Sequence, residues 1–569
     1  MKILKFDGTS VGSHAGISQI IGILKDPNHA GKAPVVVVSA FSRVTDTLID
    51  MARKASGGGS AYKDLFEELA PRHRDTAVHF LKGEERKGAL AEINGLFDEL
   101  GLILQGISLL GELSARTLDL VMSLGERLSA GLLAHIFTAN GIESAFLDAR
   151  LLIKTNDCFG NAQYLPVQTF DNIRSFLKGL PKKKMPMQVV TGFIASTMDG
   201  QTVTLGRGGS DLTAAIFGAA LGVKEVEIWT DVDGIQTADP RIVKNAFRID
   251  EILYAEAMEI SHFGAKVLFP PTVKPALEKG IPISIRNTFN PAGGGTRIVS
   301  NAAEGEYPIR GISSMSHIAL VRIQGPGMVG VAGFSARVFG ALARRGISVI
   351  LITQSSSEYS ICFAVLPADA RLAETAITEE FAPEIRSGAI DKPVTETNLS
   401  IIAVIGSKMK SASGISGKLF HALGRNGINV VAIAQGSSEI NISAVISRQD
   451  EAKALNAVHE AFFHATVRSV NLFLMGAGLI GGTLLEQIAS HRKNLAEKDQ
   501  ININLIGAAN YKWMLFNPDG LDPLKAKALI NEEGEQAAGK TGKGKKASET
   551  ENSPEPVNIK AFVEKMISY

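Results

Sequence analysis

Cysteine is nearly absent. Cys158 and Cys362 are the only two in 569 residues, which excludes a disulfide framework or a cysteine metal site and fits a reducing compartment. An excess of one charge is missing too. Lysine and arginine total 59 against 58 for aspartate and glutamate, a formal charge of +1, so nothing draws the whole chain to nucleic acid or an anionic membrane. The longest uncharged run, Ser469 to Leu485, falls short of the ~20 residues of a membrane span and contains four glycines. The opening Met-Lys-Ile-Leu-Lys has no apolar stretch for a signal peptide. Together these absences predict a soluble cytoplasmic protein that binds neither nucleic acid nor membrane. What is plentiful is apolar residue, 45%, enough for large cores. At ~150 residues per domain, the length suggests three or four domains.

Residues 1 to about 300 alternate β-rich runs (Val35 to Val38, Val189 to Thr191, Glu225 to Thr230, Pro282 to Ile285) with helical patterns. That alternation predicts an α/β domain with a largely parallel sheet. An internal repeat follows. GFSARVFGALARRGISVILITQSSSEYSI from Gly333 matches GISGKLFHALGRNGINVVAIAQGSSEINI from Gly414, at a constant offset of 81 residues. Each copy is a helix and a β-branched strand ending at Gln354 or Gln435, before a Ser-Ser-Glu turn, so one supersecondary unit occurs twice. A fourth α/β pattern begins at 469. From Glu532 to Pro556 the chain has no aromatic and no aliphatic larger than alanine, too little to offset the entropy of ordering. The expected limits are 1–300, 310–390 and 391–468 for the two copies, 469–530, and a mostly disordered tail over 531–569.

The most informative segment is KFDGTSV, Lys5 to Val11. It follows an apolar first strand and precedes a helix-period pattern at Ile17, Ile20, Ile21 and Leu24. A strand turning through a small, hydroxyl-bearing loop into a helix offers backbone N–H groups to an anion, and Lys5 adds a point charge. This suits phosphoryl transfer, where catalysis is mostly positioning and charge neutralisation. LGRGGSD, Leu205 to Asp211, is a second glycine-rich loop before an apolar helix. There Arg207 can grip a carboxylate or phosphate through paired hydrogen bonds, while Asp211 can simply cap the helix. TDVDGIQTADPR, Thr230 to Arg241, leaves a strand at the end where α/β sheets bind nucleotides, although Asp233 and Gly234 equally suit a plain turn. Lys266 in GAKVLFPPT is either snorkelling or paired with buried charge. Glu126 and Arg127 in MSLGERLSA fit a solvated ion-pair face by default.

Read together and in order, these motifs, with VVSAFSRVTDTL (Val37 to Leu48) and TGFIAS (Thr191 to Ser196), resemble the aspartate kinases of the amino-acid kinase superfamily from residue 1 to about 468. The repeat resembles the tandem ACT domains (βαββαβ) that regulate that family. NLFLMGAGLIGGTLL through INLIGAANYKWML resembles the opening of a homoserine dehydrogenase, which places the chain nearest the bifunctional, threonine-sensitive aspartokinase–homoserine dehydrogenases.

The resemblance implies an ATP-dependent phosphorylation of L-aspartate, with Mg²⁺ entering on the nucleotide rather than in a protein-made site. Lys5 would neutralise the transferring phosphate, Gly8, Thr9 and Ser10 would donate to it, and Asp211 would orient Lys5. Thr45 and Glu126 would hold aspartate, Glu126 through its α-ammonium, and Arg207 would clamp the α-carboxylate. Asp7, Ser210, Thr230, Asp231, Gln236, Arg241, Lys266 and Val267 complete the implied ATP site, with Lys266 facing the leaving phosphate. Gln354 and Gln435 would read threonine, and paired ACT domains would build a dimer or tetramer. No general base is required, because a carboxylate is already ionised at pH 7.

Two residues depart from the family pattern. Asp7 stands where the family has glycine. A carboxylate ~6 Å from a phosphate charge costs about 3 kcal/mol at an effective dielectric of 20, and a left-handed backbone there would add about 1–2 kcal/mol of strain, unless Asp7 instead faces Mg²⁺ or pairs with Lys5. A catalytically weakened threonine-sensing scaffold is therefore one alternative. Phe269 stands where histidine is frequent. Gly476, Gly478 and Gly481 form a dinucleotide-type turn, but no acidic residue ends the following strand, where Asn510 is nearest. The dehydrogenase likeness also ends before the second half of a nucleotide fold. A truncated remnant that does not bind NADP is expected, and a bifunctional enzyme is the further alternative.

Overall fold

The computed structural model describes residues 1–31, 35–181, 185–263, 269–302, 307–463, 468–498, 501–530 and 554–568. They divide into two units, Met1–Thr237 with Phe247–Glu306, and Ala238–Ala246 with Tyr307–Tyr569.

The first unit opens with β1 (Lys2–Phe6), the single turn α1 (Gly8–Val11), α2 (His14–Lys25) and β2 (Val35–Val38). Four helices follow without a strand: α3 (Val44–Ser56), α4 (Tyr62–Phe80), α5 (Gly83–Leu110) and α6 (Ala115–Ala139). Next come β3 (Ser144–Leu147), β4 (Lys154–Thr155), α7 (Pro166–Gly179), β5 (Met187–Thr191), β6 (Ile194–Thr197) and β7 (Thr202–Thr204). Then α8 (Gly209–Leu221), β8 (Glu225–Thr230), β9 (Glu251–Leu253), α9 (Tyr254–His262), α10 (Lys274–Glu278), β10 (Ile283–Asn287) and β11 (Thr296–Val299) complete it.

Eight strands form one sheet in the order β3-β5-β2-β1-β8-β10-β11-β9. Its pairs are parallel except β10 with β11. The four valines of β2 are all fully buried, as a strand covered on both faces requires. β4, β6 and β7 make a small second sheet. Helices α5 and α6 reach the length and apolarity of membrane spans, which scattered charges hid from a search for uncharged runs. Both pack into the unit's main core, α5 through Ile93, Phe97, Leu100 and Leu104, and α6 through Val121, Leu124, Leu128 and Leu132.

The second unit holds the repeat. β12 (Gly311–Gln324), α11 (Phe334–Arg344), β13 (Leu351–Gln354), β14 (Ser360–Val365), α12 (Pro367–Glu380) and α13 (Ala382–Arg386) precede β15 (Val394–Ile405), α14 (Ile415–Arg425), β16 (Val430–Gln435), β17 (Asn441–Ser447) and α15 (Glu451–Phe463). Six strands run β13-β14-β12-β15-β17-β16, antiparallel throughout. The copies share their two long central strands. His317 and Asn398, at the 81-residue offset, both take left-handed backbone, with φ of 57° and 59°, and the β12–β15 register slips at His317. Each long strand therefore gives one half to each copy, and a cut at residue 390 does not separate them. Val338, Leu342 and Phe363 centre one core, and Leu419, Leu423 and Ala444 the other.

The C-terminal segment forms β18 (Arg468–Met475), α16 (Leu479–Lys498), β19 (Ile501–Ala509), β20 (Trp513–Leu521) and α17 (Pro523–Ala528). Among the described residues of this segment, β18 and β19 are parallel and β20 turns back antiparallel, which makes one βαβ crossover. Part of the expected disordered tail is ordered. β21 (Glu555–Pro556) pairs with β20, and α18 (Ile559–Ser568) buries Phe562 against Ala509 and Met514. The low-complexity stretch had stopped at Pro556, and the apolar residues beyond it supply this anchor.

Candidate active site

The C-terminal ends of β1, β2 and β8 lie side by side, since Lys5 pairs in register with Val37 and Ile228. A pocket of about 480 Å³ opens there. From the implied set it gathers Lys5, Gly8, Thr45, Glu126, Arg207, Ser210 and Asp211. A larger cavity of about 630 Å³ lies between α5, α6 and β3, but its lining is mostly apolar and it contains none of the implied residues.

Lys5 is the penultimate residue of β1 and only 6% exposed. Its Nζ lies 2.7 Å from Asp211 Oδ1. Asp211 sits in the first turn of α8, whose N-cap is Gly208 without a side-chain cap, so the carboxylate serves Lys5 rather than the helix end. The loop before α8 depends on glycine. Gly206 and Gly208 have φ of 72° and 71°, and a Cβ on Gly208 would come within 2.9 Å of Phe269 and Thr272. Arg207 projects between them with its guanidinium 5.7 Å from the Phe269 ring. Phe269 thus gives the arginine an aromatic face to rest on.

Glu126 lies on α6, two turns beyond Asp119. The solvated ion-pair expectation is wrong for it: Glu126 is 3% exposed, while Arg127 makes a bidentate pair with Glu99 at 2.8 and 2.9 Å. Glu126 Oε1 accepts a long hydrogen bond from Ala40 N at 3.3 Å, and Oε2 is buried without a protein partner. Burial pushes its carboxyl up to about 8, opposed only weakly by the Ala40 hydrogen bond. A buried carboxyl with one unclaimed oxygen at a pocket wall is arranged to receive a cation.

Asp7 turns out differently from the expectation. Its backbone is ordinary, with φ of −82°, so it stores no left-handed strain. Its carboxylate caps α1, accepting from Ser10 N, Ser10 Oγ, Thr9 Oγ1 and the Thr230 hydroxyl. Burial raises its pKa, but the Lys5 charge and the bonds from Thr230 and Ser10 outweigh it and hold it below the usual carboxylate range. Ser10 is also corrected. It is fully buried, with its hydroxyl 2.7 Å from that of Thr288, and is not presented to a ligand. Asp231 is exposed beyond β8 and Gln236 forms a backbone bridge to Arg248, both outside the pocket lining. Arg241 lies in the segment that belongs to the second unit, paired with Asp239 at 2.6 Å. Lys266 and Val267 lie outside the described residues.

Sequence reasoning missed several pocket residues. Arg43 and Phe193 line it with left-handed backbone, φ of 67° and 64°, a conformation that costs energy and is tolerated where it places a functional loop. Nothing in their residue types announces it. Phe41 also lines the pocket and stacks on buried His73, centroids 4.6 Å apart.

In the second unit, Gln354 and Gln435 end the edge strands β13 and β16. The copies differ in detail. Glu358 Oε2 accepts from Gly330 N at 2.9 Å in the first. In the second, a cavity of about 290 Å³ is lined by Lys410, Ser413, Ser416, Gln435 and Glu439. Gly476, Gly478 and Gly481 form the tight turn from β18 to α16, where a Cβ on Gly481 would meet Gly476 O at 2.2 Å. The turn leaves Leu479 and Ile480 90% and 86% exposed. Asn510 caps its own turn, accepting from Lys512 N and Trp513 N.

A charged pocket at the strand ends of an α/β sheet, followed by a paired βαββαβ module, is the architecture of a regulated small-molecule kinase. The amino acid kinase family model matches residues 1–287, and the ACT domain model matches 321–381 and 402–462. The chain belongs to the amino acid kinase family, among the aspartokinases. It is 34% identical over 474 residues to aspartokinase 3, chloroplastic, of Arabidopsis thaliana, covering 81% of each. It is 36% identical over 539 residues to the Arabidopsis bifunctional aspartokinase/homoserine dehydrogenase 2, covering 94% of this chain and 58% of that protein. The corresponding enzyme of Haemophilus influenzae is 36% identical over 529 residues. The chain thus spans under two thirds of the bifunctional relatives' length. Among solved structures, E. coli aspartokinase III in complex with aspartate and ADP aligns with a TM-score of 0.70 and 30% identity, over 81% of this chain and all of that one.

Proposed function

We propose that this chain is an aspartate kinase, converting ATP and L-aspartate to 4-phospho-L-aspartate and ADP, the first step of lysine, threonine and methionine biosynthesis. The observation that carries the reading is the pocket's charge layout: Lys5 with Asp211, Arg207, and the unclaimed oxygen of Glu126 all line one cavity. Arg207 clamps the substrate's α-carboxylate and Glu126 its α-ammonium, which leaves the β-carboxylate to attack the γ-phosphorus. Lys5, held by Asp211, balances charge on the transferring group. The carboxylates beside the phosphate position are committed, Asp211 to Lys5 and Asp7 to its four donors. Mg²⁺ would therefore be held chiefly by nucleotide phosphates and water. Asp7, unstrained and with its carboxylate occupied by four donors, weighs against a disabled scaffold.

Feedback by threonine at the Gln354 and Gln435 turns is part of this reading, supported by the cavity at Gln435. The apolar Ile352 and Ile433 left half exposed on edge strands β13 and β16 support oligomers through the ACT pair. The solved relative in complex with lysine and aspartate is described as a T-state. An ADP-release assay with L-aspartate, L-glutamate, N-acetyl-L-glutamate and UMP as acceptors tests the activity. Turnover with aspartate alone is expected, and preference for another acceptor contradicts the assignment.

A further inference from the structure

Asp119 is not itself in the pocket lining, but it touches Gly160 and Thr204, which are, and it is fully buried on α6, seven residues before Glu126. That interval is two helical turns, so both carboxyls lie on one helix face. Asp119 Oδ2 accepts from Gly160 N at 2.8 Å and from Thr204 N at 3.0 Å, and Oδ1 accepts from Thr204 Oγ1 at 2.8 Å. Thr204 ends β7, three residues before Arg207. The two clamped segments are also tied together by Ala162 N donating to Thr204 O at 3.0 Å. Gly206 sits so close to the 160–161 turn that a Cβ would meet Asn161 Oδ1 at 2.6 Å. Arg207 itself, by contrast, rests on the Phe269 ring and has no hydrogen bond or ion pair among the described residues.

We propose that Asp119 is a positioning residue: it fixes the Arg207 loop to the helix that carries Glu126, and so sets the spacing between the groups that grip the two ends of the substrate's amino-acid moiety. The inference rests on the aspartate kinase reading. A buried carboxylate that merely satisfied two amides would hold the whole domain. Its loss would then weaken the use of ATP and aspartate alike. A ruler between Glu126 and Arg207 makes a narrower demand, because loop displacements of ~1 Å misplace a bound substrate without unfolding anything.

Asp119→Asn keeps the shape but sets an amide NH₂ against an N–H donor. It is expected to raise KM for aspartate by about tenfold or more while KM for ATP stays within about twofold. In an Arg207→Ala background the same change should add less than about twofold, because the loop then has nothing to deliver. Thr204→Val, which removes only the hydroxyl bond, should shift aspartate KM in the same direction by a smaller factor. It also carries the test if Asp119→Asn does not fold. Equal losses on ATP and aspartate, full additivity with Arg207→Ala, or unchanged aspartate KM in both variants would overturn the proposal while leaving the kinase reading intact. A wild-type protein that fails to turn over aspartate overturns both.

Discussion

Aspartate binding should expel a proton from this protein at neutral pH. Glu126 is 3% exposed, has one long hydrogen bond and one unclaimed oxygen, and titrates at about 8 against an ordinary 4.5. Ionising it in the empty pocket therefore costs about 5 kcal/mol beyond the cost in water. An ammonium brought to ~3 Å returns about 5.5 kcal/mol at an effective dielectric of 20, enough to ionise the carboxyl once substrate arrives. The sign follows. The empty folded protein holds the proton up to about pH 8, so at pH 7 about 0.9 proton leaves on binding. The dissociation constant for aspartate should fall about tenfold between pH 6 and 7 and flatten near 8. Calorimetry in buffers of different ionisation enthalpy reads the proton count directly. Glu126→Gln should abolish the release and weaken binding. Release near zero in the wild type, with tight binding, would show that Glu126 is already ionised or does not meet the ammonium.

The other predictions concern the remaining groups. Lys5→Ala should lower kcat by more than about tenfold, a loss of about 2–4 kcal/mol in transition-state stabilisation, with aspartate affinity changed less; steady-state kinetics check both. Arg207→Ala should instead raise KM for aspartate, through the lost paired hydrogen bonds. Burial pushes His73 down to about 4, so its contribution to stability is complete above pH ~6.5 and is lost as pH falls toward 4, by about 2 kcal/mol at pH 5. Denaturant melts at pH 7.5 and 5 should show that loss, and His73→Phe, which keeps the stack on Phe41, should shrink it. Gln435→Ala should weaken threonine binding more than Gln354→Ala in calorimetry, because Gln435 lines the cavity of about 290 Å³ in the second copy, while in the first copy the Glu358 side chain closes on Gly330 N.

Much of this was legible in residue order. The parallel sheet followed from valine-rich runs alternating with helical periods, and β2 and β8 fall on the expected residues. The repeat fixed the second unit's elements, but not that β12 and β15 each serve both copies. That sharing depends on left-handed turns at His317 and Asn398, which neither residue type demands. Lys5, Asp211, Arg207 and Glu126 were found through motif resemblance, whereas their convergence required strand register. For Asp7 the left-handed strain weighed from the sequence is absent, because the residue has φ of −82° and caps α1. An acidic residue three before Ser10 at a helix start is an N-cap signal. Asp119 gave no signal, since its partners are backbone amides 41 and 85 residues away.

The central claim is acyl phosphate formation on aspartate. Incubation with ATP, Mg²⁺ and L-aspartate in the presence of hydroxylamine should yield aspartyl β-hydroxamate in step with ADP, and Lys5→Ala should suppress both. ADP formation that is independent of aspartate and yields no hydroxamate would contradict the account.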